Sequence, residues 1–302
     1  MKDVILLDGG LGQEIYKRAQ IPAHPLWSVK VMMDQPDIVK SVHQDFIKAG
    51  AQIITVNSYS CTPTRLQRDG HLEWFEDLQQ LALKLARESR DEMGASAAKV
   101  QLAGCLPPLI GSYANDDRSF QQLKEEYSKI SAIQAPEVDL FIIETITNEK
   151  EARAAVEAAL ETGKPVMVSY TLSDEQPGKL RSGELLEEAV NALARYPLSG
   201  LMFNCSFPET IAQGMERIKH LAIPYGGYAN GFTSVKPLKL GGTVDALTAR
   251  TDLDEKKMAQ HALDWIQKGA SIVGGCCEVG PSHIEHLYQA LVAEGYKVVS
   301  LQ

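Results

Sequence analysis

Two adjacent cysteines, Cys276 and Cys277, follow Gly274-Gly275 at the end of a short apolar run, and Cys205 ends an earlier one. Thiolates are soft ligands, and three around one point suit Zn2+, which is tetrahedral and redox-silent. Three protein ligands leave a fourth position open, the pattern of a catalytic rather than a structural zinc site. Neighbouring side chains on a strand point to opposite faces. Cys276 and Cys277 can therefore share an ion only where the backbone leaves strand geometry, which Gly274 and Gly275 permit. His283 and His286 fall in the last helical pattern, turned away from such a centre, and Cys61 and Cys105 read as small buried hydrophobes.

An open centre of three thiolates carries a net negative charge and activates water poorly. It is suited instead to binding a substrate thiol as thiolate, since a free thiol is mostly protonated at neutral pH. The chemistry implied is alkylation of a thiol. Asp8 and Glu144, each at the end of an apolar run, could pair with the ammonium of an amino-acid thiol. The segment Asn57-Ser58-Tyr59-Ser60-Cys61-Thr62 is rich in hydroxyls and backbone N–H groups that could hold its carboxylate, with Asn57 and Ser58 leading.

Such residues converge only if the elements carrying them do. Apolar, β-branched runs predict strands at Val4–Leu7, Ile53–Asn57, Val100–Cys105, Leu140–Glu144, Val166–Thr171, Gly200–Asn204, Tyr225–Ala229 and Ile272–Gly275. Helical patterns alternate with them at Ile38–Ala49, Leu72–Met93, Phe120–Ile133, Lys150–Glu161, Gly183–Arg195, Glu209–Lys219, Lys256–Lys268 and Pro281–Val292. Strand then helix, repeated through 302 residues, predicts an α/β protein, a single (β/α)8 TIM barrel over residues 1–302 with the zinc site at its C-terminal rim. A doubly wound sheet would call for a G-x-G-x-x-G spacing that Asp8-Gly9-Gly10-Leu11-Gly12 lacks. Two long insertions, Gly12–Asp37 and Asn230–Asp254, would lie on the same rim, the second as a cover.

Composition excludes other classes. Thirty Lys and Arg against 39 Asp and Glu leave a net charge of −9, which argues against nucleic-acid binding. No apolar stretch is long enough to span a membrane, and the N-terminal run is too short for a signal peptide, so a cytoplasmic location is expected. Five cysteines, an odd number, argue against a disulfide framework.

The chain resembles the homocysteine S-methyltransferase family along nearly its whole length. The resemblance rests on Asp8-Gly9-Gly10-x-Gly12, on Asn204-Cys205, and on Gly274-Gly275-Cys276-Cys277 followed by Pro281 and His283-Ile284. It implies a (β/α)8 barrel in which Cys205, Cys276 and Cys277 bind zinc, Asp8 and Glu144 hold the substrate amine, and homocysteine accepts a methyl group to become methionine. Family members use S-methylmethionine, S-adenosylmethionine, betaine or a methylfolate-fed cobalamin as donor. The acidic charge favours a small sulfonium, S-methylmethionine or S-adenosylmethionine. Glu278 stands where relatives often carry Gly. The competing readings are a zinc-thiolate barrel without catalysis, or one with another thiol or selenol acceptor or a betaine or methylcobalamin donor. A zinc hydrolase would want His and Asp ligands and a His-x-His after the first strand, which is absent.

Overall fold

The computed structural model describes residues 2–301. Eight parallel strands follow in chain order: β1 Asp3–Leu6, β2 Ile53–Thr55, β3 Gln101–Leu106, β4 Leu140–Ile146, β5 Val166–Tyr170, β6 Gly200–Asn204, β7 Tyr225–Ala229 and β8 Ile272–Gly275. Each pairs with the next from β2 to β8, and β8 pairs with β1. The ring closes between β1 and β2 through a parallel bridge from Leu7 to Ile53, where Asp8 N donates to the Ile53 carbonyl at 3.0 Å. The barrel expected from the alternation is therefore present.

The surrounding helices are α1 Leu11–Ala19, α2 Ser28–Asp34, α3 Pro36–Lys48, α4 Pro63–Arg68, α5 Phe75–Asp91, α6 Phe120–Gln134, α7 Glu149–Leu160, α8 Leu186–Leu193, α9 Pro208–Ile218, α10 Glu255–Gln267 and α11 Pro281–Ala293. Their starts follow local chemistry. Ser119 and Gln122 form a reciprocal capping box before α6, and Asn148 and Asp254 accept backbone N–H bonds at the starts of α7 and α10.

Several features differ from the sequence reading, among them α4, which no expected helix covers. The first insertion folds into α1 and α2. The long pattern from Leu72 splits into a 3-10 turn, Leu72–Trp74, and α5. A ninth strand, β9 Lys297–Val299, pairs in parallel with β1 from Asp3 to Ile5 and covers the lower edge that β2 leaves free. Among the described residues, no helix is long and apolar enough to cross a membrane.

Apolar side chains fill the barrel bottom and middle, including Leu7, Ile53, Ala103, Leu140, Ile142, Met167, Met202 and Ile272. Side chains alternate along a strand, so the row Leu140, Ile142 continues into Glu144, and Met202 into Asn204. The barrel thus changes from hydrocarbon to polar and sulfur groups near its C-terminal rim, within one residue pair of each strand end.

Candidate metal and substrate site

The chain turns after β6 and β8 bring three sulfurs together. The Sγ atoms of Cys205, Cys276 and Cys277 lie within 4.8 Å of one another. Cys205 takes φ +48°, a left-handed conformation uncommon for a side-chain-bearing residue, and this turns it out of the β6 line. Strand β8 ends at Gly275, and a turn closed by Val279 N on the Cys276 carbonyl (3.1 Å) carries Cys276 and Cys277. The role of the preceding glycine is close approach: a Cβ on Gly275 would meet the Val279 side chain at 2.1 Å. The same holds across the turn, where a Cβ on Gly10 would lie 2.3 Å from the Cys276 carbonyl oxygen. The opening Asp-Gly-Gly and the distant Gly-Gly-Cys-Cys are one packed unit.

Cys205 and Cys276 are joined as a disulfide, with Cα atoms 5.8 Å apart, and Cys277 is a free thiol. Burial pushes the Cys277 thiol up to about 12, so with no cation beside it the group stays protonated. Asn204 Nδ2 points at Cys276 Sγ across 4.0 Å.

A pocket opens over these sulfurs, and Asp8 and Glu144 line it with them. Asp8 is 5% exposed and accepts from Thr55 N at 2.8 Å. Burial, with Glu144 as a further contributor, raises its carboxyl to about 8. Glu144 is partly buried and accepts the Cys105 thiol hydrogen at 3.0 Å. Its pKa is also raised, by burial, against the pull of the Cys105 hydrogen bond and the Arg65 charge. Two adjacent carboxyls that resist ionisation are prepared for a cation, which would stabilise both charged forms.

Glu144 reaches the pocket through a local irregularity. The β4–β5 register shifts between Ile143 and Ile146, and Thr145 takes φ +61°, an outlier for a β-branched residue. Asn204 holds it there, accepting from Thr145 N and donating to Thr145 Oγ1, both at 2.9 Å.

Asn57 lines the pocket, with its side-chain oxygen bonded by Ser28 Oγ at 2.7 Å. Ser58 is not brought to it: the side chain is buried behind the wall and accepts from Gln134 Nε2 at 3.1 Å. Tyr59 and Tyr228 line the pocket, and the buried Tyr228 hydroxyl has no hydrogen-bond partner. Tyr170 packs elsewhere, bonding the Ala189 carbonyl. Both insertions contribute walls, Trp27 from the first and Phe232, Leu238 and Leu240 from the second. Glu278, at φ +67°, accepts from Gln13 at 2.8 Å and Lys17 at 2.5 Å, tying the β8 turn to α1.

Comparison with known proteins decides the relationship, because residues 5–291 match the homocysteine S-methyltransferase family. The chain belongs to the homocysteine S-methyltransferase family. It is 30% identical to the homocysteine S-methyltransferase of Escherichia coli (strain K12), over 95% of this chain and 94% of that one. The solved E. coli homocysteine methyltransferase MmuM superposes in its metallated form with TM-score 0.79 at 25% identity, covering 95% of this chain and 96% of that chain. Its oxidised form gives TM-score 0.77 at 26% identity, covering 95% of each. Within this family fold, the Cys205, Cys276 and Cys277 cluster, the paired carboxyls and the enclosing insertions occupy one rim of the barrel.

Proposed function

We propose that this enzyme transfers a methyl group from a small sulfonium, S-methylmethionine or S-adenosylmethionine, to the sulfur of L-homocysteine, with zinc held by Cys205, Cys276 and Cys277. The observation that carries the reading is one pocket lined by both the three-cysteine cluster and the Asp8–Glu144 pair. The donor set fits the metal: tetrahedral zinc with Zn–S bonds of about 2.3 Å needs sulfurs about 3.8 Å apart, inside the 4.8 Å spread observed. Zinc binding requires Cys205 and Cys276 as separate thiolates, so the disulfide-bonded and metal-bound states exclude one another. When bound, the ion supplies a Lewis acid that keeps an acceptor thiol ionised near neutral pH.

The chain's own residues do the rest. Asp8 and Glu144 take the homocysteine ammonium and fix the direction of its thiol. Asn204 keeps the Thr145 turn that presents Glu144. Trp27, Phe232 and Leu240 form apolar walls that exclude water and strengthen the charge interactions inside. Transfer forms a bond from the acceptor sulfur to the methyl carbon and breaks the donor's methyl–sulfur bond, whose electron pair stays on the donor sulfur. S-methylmethionine and homocysteine thus give two methionines and one proton, which leaves to solvent when the acceptor thiol ionises. A cationic donor meeting an anionic acceptor cancels charge in the transition state, which an acidic cleft first attracts.

The test is homocysteine methylation by the reduced, zinc-loaded protein with each donor supplied separately. Turnover with a sulfonium is expected. Turnover with methylfolate or methylcobalamin alone would overturn the donor assignment.

A further inference from the structure

Among the described residues, Arg65 is the one arginine of eleven that pairs with no carboxylate. Among the described residues it is also the only buried arginine, 6% exposed. Buried charges are ordinarily paired, since an isolated one loses its hydration without return. The Arg65 side chain has two neighbours in place and one donor free. Its Nη2 donates to the Pro108 carbonyl at 2.6 Å, its guanidinium carbon lies 4.9 Å from the Tyr59 ring centre, and its Nε is buried with no acceptor. These contacts orient the guanidinium and leave it without an ion-pair partner at bonding distance, although its charge acts on Glu144. Arg65 lines the same pocket as Asp8 and Glu144.

We propose that Arg65 is the carboxylate-recognition residue of this pocket, taking the α-carboxylate of an amino-acid substrate whose ammonium goes to Asp8 and Glu144. A zwitterion needs both signs of charge, and the pocket wall supplies both. The side chains expected to hold the carboxylate leave that role open, because Asn57 is engaged by Ser28 and Ser58 lies behind the wall. Guanidinium is the side chain best matched to a planar carboxylate. The inference rests on the proposed reading in that both substrates there, homocysteine and an amino-acid sulfonium, carry an α-carboxylate. The shared chemistry is that group, and the test separates its two sources.

The experiment measures binding by calorimetry to reduced, zinc-loaded wild type, Arg65→Met and Arg65→Lys. The acceptor arm compares homocysteine with 3-aminopropane-1-thiol, the same molecule without its carboxylate. The donor arm compares S-methylmethionine with (3-aminopropyl)dimethylsulfonium. In wild type the carboxylate-bearing member of at least one pair should bind about 10–100-fold more tightly, the range for a charge-assisted bond. Arg65→Met should lose most of that preference, and Arg65→Lys should keep part of it. Each preference is a ratio within one protein, so a general weakening of the variant cancels. The arm in which the preference collapses names the source. A preference that survives in Arg65→Met in both arms, or is absent from wild type in both, overturns the proposal. Binding with the predicted ratios but no methyl transfer would sink the proposed function and leave Arg65 standing; turnover with ratios unchanged in Arg65→Met would do the reverse.

Discussion

Asn204 at the end of β6 and Thr145 near the end of β4 are joined over the intervening β5 by two hydrogen bonds of 2.9 Å that use both ends of the Asn204 amide. Thr145 stays in a left-handed conformation its β-branched side chain disfavours, and the residue before it is Glu144. Asn204 thus holds the turn that carries Glu144, and it stands one position before a cluster cysteine.

Replacing Asn204 by Ala removes both bonds and leaves a buried backbone N–H without a partner, a loss of about 1–3 kcal/mol of stability. The homocysteine KM should rise about tenfold as Glu144 loses its direction, while the donor KM changes little. Steady-state kinetics with each substrate varied separately checks this. An unchanged homocysteine KM would dissociate Asn204 from the site.

Asp8 gives a pH signature. Its folded pKa of about 8 lies above its ordinary 3.8, so between these values the folded chain holds a proton that the unfolded chain has released. Stability from this group is full below pH 4 and is lost as pH rises through 8. Asp8→Asn has no such loss. Urea unfolding of metal-free protein should show the variant gaining on wild type by more than about 1 kcal/mol from pH 4 to pH 8. A flat difference would contradict the buried, unpaired state of Asp8.

The eight strands were legible because each is a β-branched apolar run closed by a turn, and the cysteine cluster because all three members sit at strand ends. Strand β9 was not, since Lys297–Val299 is short and follows a complete barrel. Helices α1 and α2 lie in a segment whose local pattern is broken by Gly and Pro, and they form by packing against one another and α3. Arg65 was not singled out because the short helix α4 that carries it has no pattern of its own to mark it. Its burial depends on Pro108 and Tyr59, which no local pattern links to it. Ser58 reads as a pocket hydroxyl from composition, yet the chain direction after β2 turns it toward Gln134.

Cys105 separates the two classes of cysteine. Its thiol bonds Glu144 and burial drives its pKa well above the ordinary value, so it is a hydrogen-bond donor and no thiolate. Cys61 is likewise fully buried. Zinc content of Cys61→Ser and Cys105→Ser should stay near one per chain. Cys105→Ala, which removes the bond to Glu144, should weaken homocysteine binding severalfold, and Cys105→Ser should restore most of it. Zinc loss in either Ser variant would reassign the metal ligands.

X-ray absorption at the zinc edge tests the central claim most directly. The reduced, zinc-loaded protein should show three sulfur neighbours at about 2.3 Å and one lighter ligand. Adding homocysteine should raise the count to four sulfurs, and Cys205→Ala should abolish the signal with the metal. A count that stays at three in the presence of saturating homocysteine would contradict thiol activation at the Cys205, Cys276 and Cys277 centre.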